Sequence, residues 1–240
     1  MAGDVLYLSA PVNALVEGIY HADTSVATIR QHGDMGLGTF NHLDGEMVMV
    51  DGEVWQVSGD GRVLPVDDAV CSPFVVATHF RELSQDTLSE GFTDIDSLYA
   101  RLGELLMSEN MMYALRIEAA FTHVRTRSVP RQDSYRPLVE VTKDQPTFDR
   151  YDVRGLLAGF YTPRFMSSLN VPGFHLHFLS DDRTFGGHLL QCSAPRALVR
   201  VQVLRQLHMD LPSTLAFLTA DFNRDIAGDL KRAESESTTD

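Results

Sequence analysis

The chain is poor in several things that would otherwise direct its reading. Cysteine occurs only at positions 71 and 192 of 240 residues, a separation that fits neither a metal cluster nor a redox pair. This excludes a disulfide-built scaffold and leaves two buried thiols in a reducing compartment as the expectation for Cys71 and Cys192. Lysine is confined to Lys143 and Lys231, so arginine carries nearly all positive charge. Acids outweigh it, giving a formal net charge of −13, which argues against a nucleic-acid partner. No apolar run reaches the roughly 18–20 residues of a membrane span, so no membrane association is expected. The first residues, MAGDVLYLSAPVNALVEGIY, hold an early acid and no basic stretch. They do not read as a signal peptide, and the expected location is cytoplasmic.

What remains is the composition of a globular protein, 44% hydrophobic and 22% charged, long enough for one large domain or two small ones. DTSVATIRQHG predicts a helix capped by Asp23 or Thr24 and closed by Gly33. A Gly-rich turn over 33–46 follows, then EMVMVDGEVWQV, where Asp51-Gly52 predicts a tight hairpin. Glu46, Val48 and Val50 fall on one face of its first strand. TDIDSLYARLGELLMSEN predicts an amphipathic helix with Leu98, Leu102, Leu105 and Leu106 on one side.

The stretch MMYALRIEAAFTHVRTRSVP alternates, with Tyr113, Leu115, Ile117, Ala119 and Phe121 on one face. His123, Arg125 and Arg127 extend that face if the strand runs on, and Pro130 ends it. LVEVTK reads as a further strand, and ALVRVQVLRQLHMDLP as another in which His208 is exposed. Ser213 is placed to cap a short helix at TLAFLT, and DFNRDIAGDLKRA predicts the last helix. The expected class is α+β: a mixed N-terminal β-sheet with helices, plus a smaller, largely antiparallel C-terminal β-sheet carrying a metal site. The expected domains are 1–140 and 141–240, working as one functional unit.

Chemistry concentrates in FHLHFLSDDRTFGGHLL. Residues i and i+2 of a strand project from one face about 6.5–7 Å apart, so His175 and His177 can converge on one ion. A turn near Asp182 and Arg183 brings His188 back opposite His177. Three imidazoles on one face make a metal site with open positions, though imidazole also suits iron, copper and nickel. Three hydrogen-bonded histidines on an ordinary hairpin remain the alternative at this point. Asp181 and Asp182 read as turn residues pointing away.

Taken together with GLGTFNHLDGEMV, TRSVPRQ, RPLVEVTK and GFHLHFLSDDRTFGGH, the chain resembles the α-acetolactate decarboxylase family over most of its length. The resemblance implies zinc bound by His175, His177 and His188. It implies an active site completed by Thr39, Glu46, Arg127 (with Arg125 two residues away on the same strand face) and a glutamate of the acidic tail, Glu234 or the neighbouring Glu236. It implies decarboxylation of 2-acetolactate to acetoin and CO2, a step in acetoin and butanediol formation, by a homodimer. In that chemistry the metal chelates the ketone and hydroxyl oxygens and stabilises an enediolate, Arg127 orients an anionic group, and Glu46 or Glu234 protonates one face of the carbanion carbon. Two other classes stand beside it. A hydrolase on the same zinc site predicts ester or amide turnover. A non-catalytic metal or small-ligand module predicts binding without turnover.

Overall fold

A computed structural model describes residues 3–134, 138–141, 145–223 and 228. The first sheet is built from β1 (Val5–Leu8), β3 (Met35–Thr39), β4 (Glu46–Val50), β5 (Glu53–Val57), β6 (Val63–Pro65), β8 (Val75–Thr78) and β15 (Gln206–Met209). Its order is β15-β1-β8-β3-β4-β5-β6. It is mixed, because β15 runs parallel to β1 while the other pairs are antiparallel. A two-stranded sheet joins β2 (Thr24–Ser25) to β7 (Cys71–Ser72). The second sheet contains β9 (Ser84–Leu88), β10 (Met112–Arg127), β11 (Thr147–Thr162), β12 (Gly173–Ser180), β13 (Gly186–Ser193) and β14 (Ala197–Leu204), all antiparallel. The architecture is the expected α+β arrangement, with the three-histidine cluster on the second sheet. The chain crosses between sheets more than once: β9 and β10 precede residue 140 yet belong to the second, and β15 returns to the first.

In the second sheet β11 pairs with β12 on one side and with β10 on the other, and β13 joins β12 to β10. Four strands thereby form a hydrogen-bonded ring. Leu115, Leu157, Leu176, Phe178 and Leu189 pack on one side of it together with Leu98 and Leu102. These two leucines belong to α3 (Ile95–Leu105), whose start is set by Asp94: its side chain accepts from the Ser97 amide while the Ser97 side chain caps back. Leu105 and Leu106 are only partly buried against the same cluster. The opposite side faces the first sheet, and Leu37, Val48, Val50 and Val76 meet Ala158, Phe160 and Leu179 there. Each such large apolar side chain taken out of water contributes about 1.5–3 kcal/mol. The far side of the first sheet is covered by α2 (Val26–His32) through Val26 and Ile29.

Local chemistry explains most boundaries and several departures. Asp51 and Gly52 both take positive φ, 53° and 78°, the twist a two-residue hairpin needs. The α2 cap is Ser25, which accepts from the Thr28 amide, and not Asp23 or Thr24. Thr24 and Ser25 are held extended by pairing with Ser72 and Cys71, so the helix cannot begin earlier. Gly33 is extended, with φ −175°, instead of forming a left-handed close. LVEV is a short helix, α4 (Leu138–Val141), where a strand was expected. Thr214, not Ser213, caps α5 (Leu215–Thr219). Of the expected last helix, 221–223 are not helical, and the rest, apart from 228, lies outside the described residues. Cys192 is buried, but Cys71 is only half-buried.

The expected single face of β10 does not hold along its length. Tyr113, Leu115, Ile117 and Phe121 enter one core, and so does Val124, three residues after Phe121. The alternation changes phase at Thr122, across from Asp152, whose φ is +50°. His123, Arg125 and Arg127 therefore occupy the opposite side from Phe121, and that shift is what turns Arg127 toward the first sheet.

Candidate metal centre

Strand register builds one half of the site. His177 pairs directly with His188, and His188 pairs with Arg127 on the next strand. Partners across a ladder share a face, so β12, β13 and β10 deliver a row of three functional side chains. His175 lies two residues from His177 on the same face. Gly187, with φ +126°, sets the backbone just before His188, and a side chain there would meet the Arg127 carbonyl oxygen at 2.5 Å.

The facing half comes from the first sheet. Glu46 opens β4 and pairs with Thr39 of β3. Gly45, with φ +82°, turns the chain into the strand. Its amide donates to the Val129 carbonyl, 3.0 Å, and its carbonyl accepts the Thr39 hydroxyl, 2.7 Å. Thr39, Glu46, Arg127 and the three histidines are all buried and line one cavity. Its other walls are apolar: Val12, Leu15, Leu43, Phe74, Val129, Leu138 and Val171.

The imidazoles converge, with one ligand nitrogen from each ring within 4.8 Å of the others. His175 Nε2 and His188 Nδ1 are 3.2 Å apart. The His177 Nδ1–H donates to the Met47 carbonyl, 2.7 Å. A carbonyl only accepts, so the proton is on Nδ1 and the lone pair is on Nε2. That Nε2 is buried with no hydrogen-bond partner, and it faces Glu46 Oε2 at 3.6 Å. Two electron-rich atoms so placed are stabilised by a cation between or beside them. Burial, and then the charge of Arg127, push the His175 pKa down to about 3. Burial, His175 and Arg127 hold His177 well below its ordinary value, against the raising effect of the Met47 bond. Both rings are thus neutral near neutrality and keep a lone pair that could serve a metal ion. The donor set fits a divalent ion, and imidazole donors suit zinc among others.

The other expected residues separate cleanly. Arg125 does not line the cavity; it is bound to Asp149 at the surface, Nε–Oδ2 3.2 Å. Asp182 is tied into the hairpin turn, accepting from the Ser180 hydroxyl and the Thr184 amide, and Asp181 is exposed. His208 is exposed as expected. Glu234 and Glu236 lie outside the described residues. Sequence reasoning missed the Met47 carbonyl, which no side-chain pattern can reveal. It also missed Gln145, whose Oε1 accepts from Arg127 Nη1 at 2.8 Å and which becomes visible only once Arg127 is registered against Thr147.

The sequence model of the alpha-acetolactate decarboxylase family matches residues 6–224. The chain belongs to the alpha-acetolactate decarboxylase family. It is 39% identical over 231 residues to the alpha-acetolactate decarboxylase of Methylococcus capsulatus, covering 96% of this chain and 88% of that protein. With the Bacillus licheniformis alpha-acetolactate decarboxylase it shares 37% over 238 residues, covering 96% and 92%. The crystal structure of alpha-acetolactate decarboxylase from Bacillus subtilis strain 168 superposes with a TM-score of 0.93 at 32% identity, covering 97% of this chain and all of that one. Family and fold therefore agree over nearly the whole length. No helix among the described residues is long and apolar enough to cross a membrane.

Proposed function

We propose that the protein is a metal-dependent decarboxylase that converts 2-acetolactate to acetoin and CO2. The observation that carries this reading is the cavity in which three imidazoles, a buried glutamate and a buried guanidinium converge, in a chain of the alpha-acetolactate decarboxylase family. His175, His177 and His188 would hold the ion, which we assign as zinc. When bound, it supplies Lewis-acid polarisation of the substrate's ketone and hydroxyl oxygens.

Arg127 binds the substrate carboxylate and fixes its orientation. Because the carboxylate leaves as neutral CO2, too strong a grip would stabilise the ground state and slow the reaction. The C–C bond breaks, and its electron pair passes toward the ketone oxygen as an enediolate. The apolar walls exclude water and accommodate the two methyl groups. Glu46, buried beside the triad, takes up one proton from solvent per turnover and passes it to the former carboxyl-bearing carbon from one side, and one acetoin enantiomer results. Thr39 holds the Gly45 carbonyl and through it the start of β4, which keeps Glu46 in place.

Metal analysis of the purified protein, with CO2 and acetoin enantiomers measured after adding acetolactate, tests this. Stoichiometric zinc and release of CO2 with one enantiomer are expected. Fully metallated protein that releases no CO2, or that turns over with its metal removed, overturns the reading. Equal rates for Glu234→Gln and the unaltered protein support Glu46 as the acid; equal rates for Glu46→Gln exclude it.

A further inference from the structure

His188 reaches the triad on a less regular backbone than its two companions. His175 and His177 sit in β12, whose register with β11 is unbroken from Thr162↔Gly173 to Gly155↔Ser180. β13 is different. Against β10 it pairs Cys192 with Val124 and Gln191 with Arg125, then Leu189 with Thr126. Leu190 is the extra residue of a bulge. Unbroken alternation would put Cys192, Leu190 and His188 on one face, the side of the core that holds Cys192. With the bulge, Leu189 joins Cys192 in that core, and His188 turns to the other side, where it meets His175.

Beyond the pair of His188 with Arg127, β13 continues back as Gly187 and Gly186. Two residues without side chains leave the direction of the chain open. One side chain of β10 closes that freedom. Thr126 is fully buried, and its hydroxyl donates to the Gly186 carbonyl, 2.8 Å. Its Cβ also lies close against Gly187, 3.2 Å from where a side chain on that residue would begin. A β-branched residue is stiff at χ1, so the hydroxyl holds the Gly186–Gly187 peptide in one orientation. That peptide plane helps define the φ of Gly187, +126°, one residue before His188.

We propose that Thr126 is a positioning residue that, through its bond to the Gly186 carbonyl, fixes the bulged backbone of β13 and aims the His188 imidazole into the triad. This rests on the function proposed above, in which His188 holds the metal. Thr126 does not line the cavity; it acts through His188.

Two pairs of proteins isolate the hydroxyl: the unaltered protein against Thr126→Val, and Thr126→Ser against Thr126→Ala. Each full-length protein is stripped of metal with a chelator and titrated with zinc against a chromophoric competitor. The visible absorption of its cobalt(II) form and the melting temperature of its metal-free form are recorded alongside. Loss of the hydroxyl is expected to weaken zinc binding by about tenfold to a hundredfold in each pair, the scale for groups that orient a ligand, and to shift the cobalt bands. Thr126→Ser keeps both near those of the unaltered protein. A contact that only supports the fold lowers the melting temperature and leaves zinc affinity and cobalt bands where they were; that result overturns the proposal. So does Thr126→Ser that weakens zinc binding as much as Thr126→Val, and so does unaltered protein that binds neither ion. If Thr126→Val does not fold, the comparison of Thr126→Ser with Thr126→Ala decides. If the unaltered protein binds zinc but releases no CO2 from acetolactate, the reaction assigned above fails, and the ratio of zinc affinities still decides the role of Thr126.

Discussion

His175, His177 and His188 meet at the sheet interface, while His32, His79 and His208 gather around the edge of the first sheet, and ring spacing alone does not tell the two groups apart. The centroids of His32 and His208 are 5.1 Å apart, and those of His175 and His188 are 5.0 Å apart. Yet among the described residues only the interface group brings three ligand atoms together. The edge histidines spend their polar atoms and faces on other partners: His208 on Asp210 at 3.4 Å, His79 on Asp34 at 3.9 Å, His32 stacked on Tyr7 at 3.9 Å. The interface histidines are anchored from behind, as His177 is by the Met47 carbonyl, and aim nitrogens inward. A ligand set needs aim and burial, and both come from strand register.

That contrast is broken most decisively at His177. His177→Ala is expected to lose bound metal and to lower decarboxylation by more than about a thousandfold, with circular dichroism confirming a folded protein. Full activity without metal would mean that the aimed group is not the working one. Next in size, Glu46→Gln should keep its metal and drop kcat by about a hundredfold, the scale of lost acid–base help. Gly187→Ala probes the backbone that aims His188: the forced φ and the clash with the Arg127 carbonyl should cost about 2–3 kcal/mol in denaturant unfolding.

Acid probes the interface group as well. Burial and Arg127 put the His175 pKa at about 3, against 6.5 in an unfolded chain. Between those values the unfolded chain binds the extra proton. Stability is therefore full above about pH 6.5 and falls as pH drops toward 3, by about 2 kcal/mol at pH 5 from this group alone. Urea melts at pH 7 and 5 measure it, and an unchanged midpoint would show that His175 is not held buried and neutral. The smallest effect belongs to the edge: His208→Ala should leave metal content and kcat unchanged and shift stability by less than about 0.5 kcal/mol.

The sequence shows clearly those parts that depend on short-range pattern. The Asp51-Gly52 hairpin, α3 with its leucine stripe, and the His175/His177/His188 convergence follow from local periodicity and turn chemistry. Parts that depend on distant partners do not show. Ser25 starts α2 because Thr24 and Ser25 are paired with β7, about fifty residues on in sequence. LVEV has strand-like composition but forms one helical turn, a tertiary choice over propensity. The face of Arg127 depends on a phase change opposite Asp152, a residue whose left-handed backbone leaves no periodic signature. For the site, the ligand residue types are readable, but the backbone carbonyl that sets a tautomer and the amide that steadies an arginine emerge only when strands are laid side by side.

The ring of β10, β11, β12 and β13 bears on time as well as position. Each strand that carries a histidine of the triad has a hydrogen-bonded neighbour on both flanks, so neither can peel away as a terminal strand can. Their ladder amides are expected among the slowest in the chain to exchange with solvent. Were the three histidines to release an ion, these ladders would still hold the strands that carry them in register.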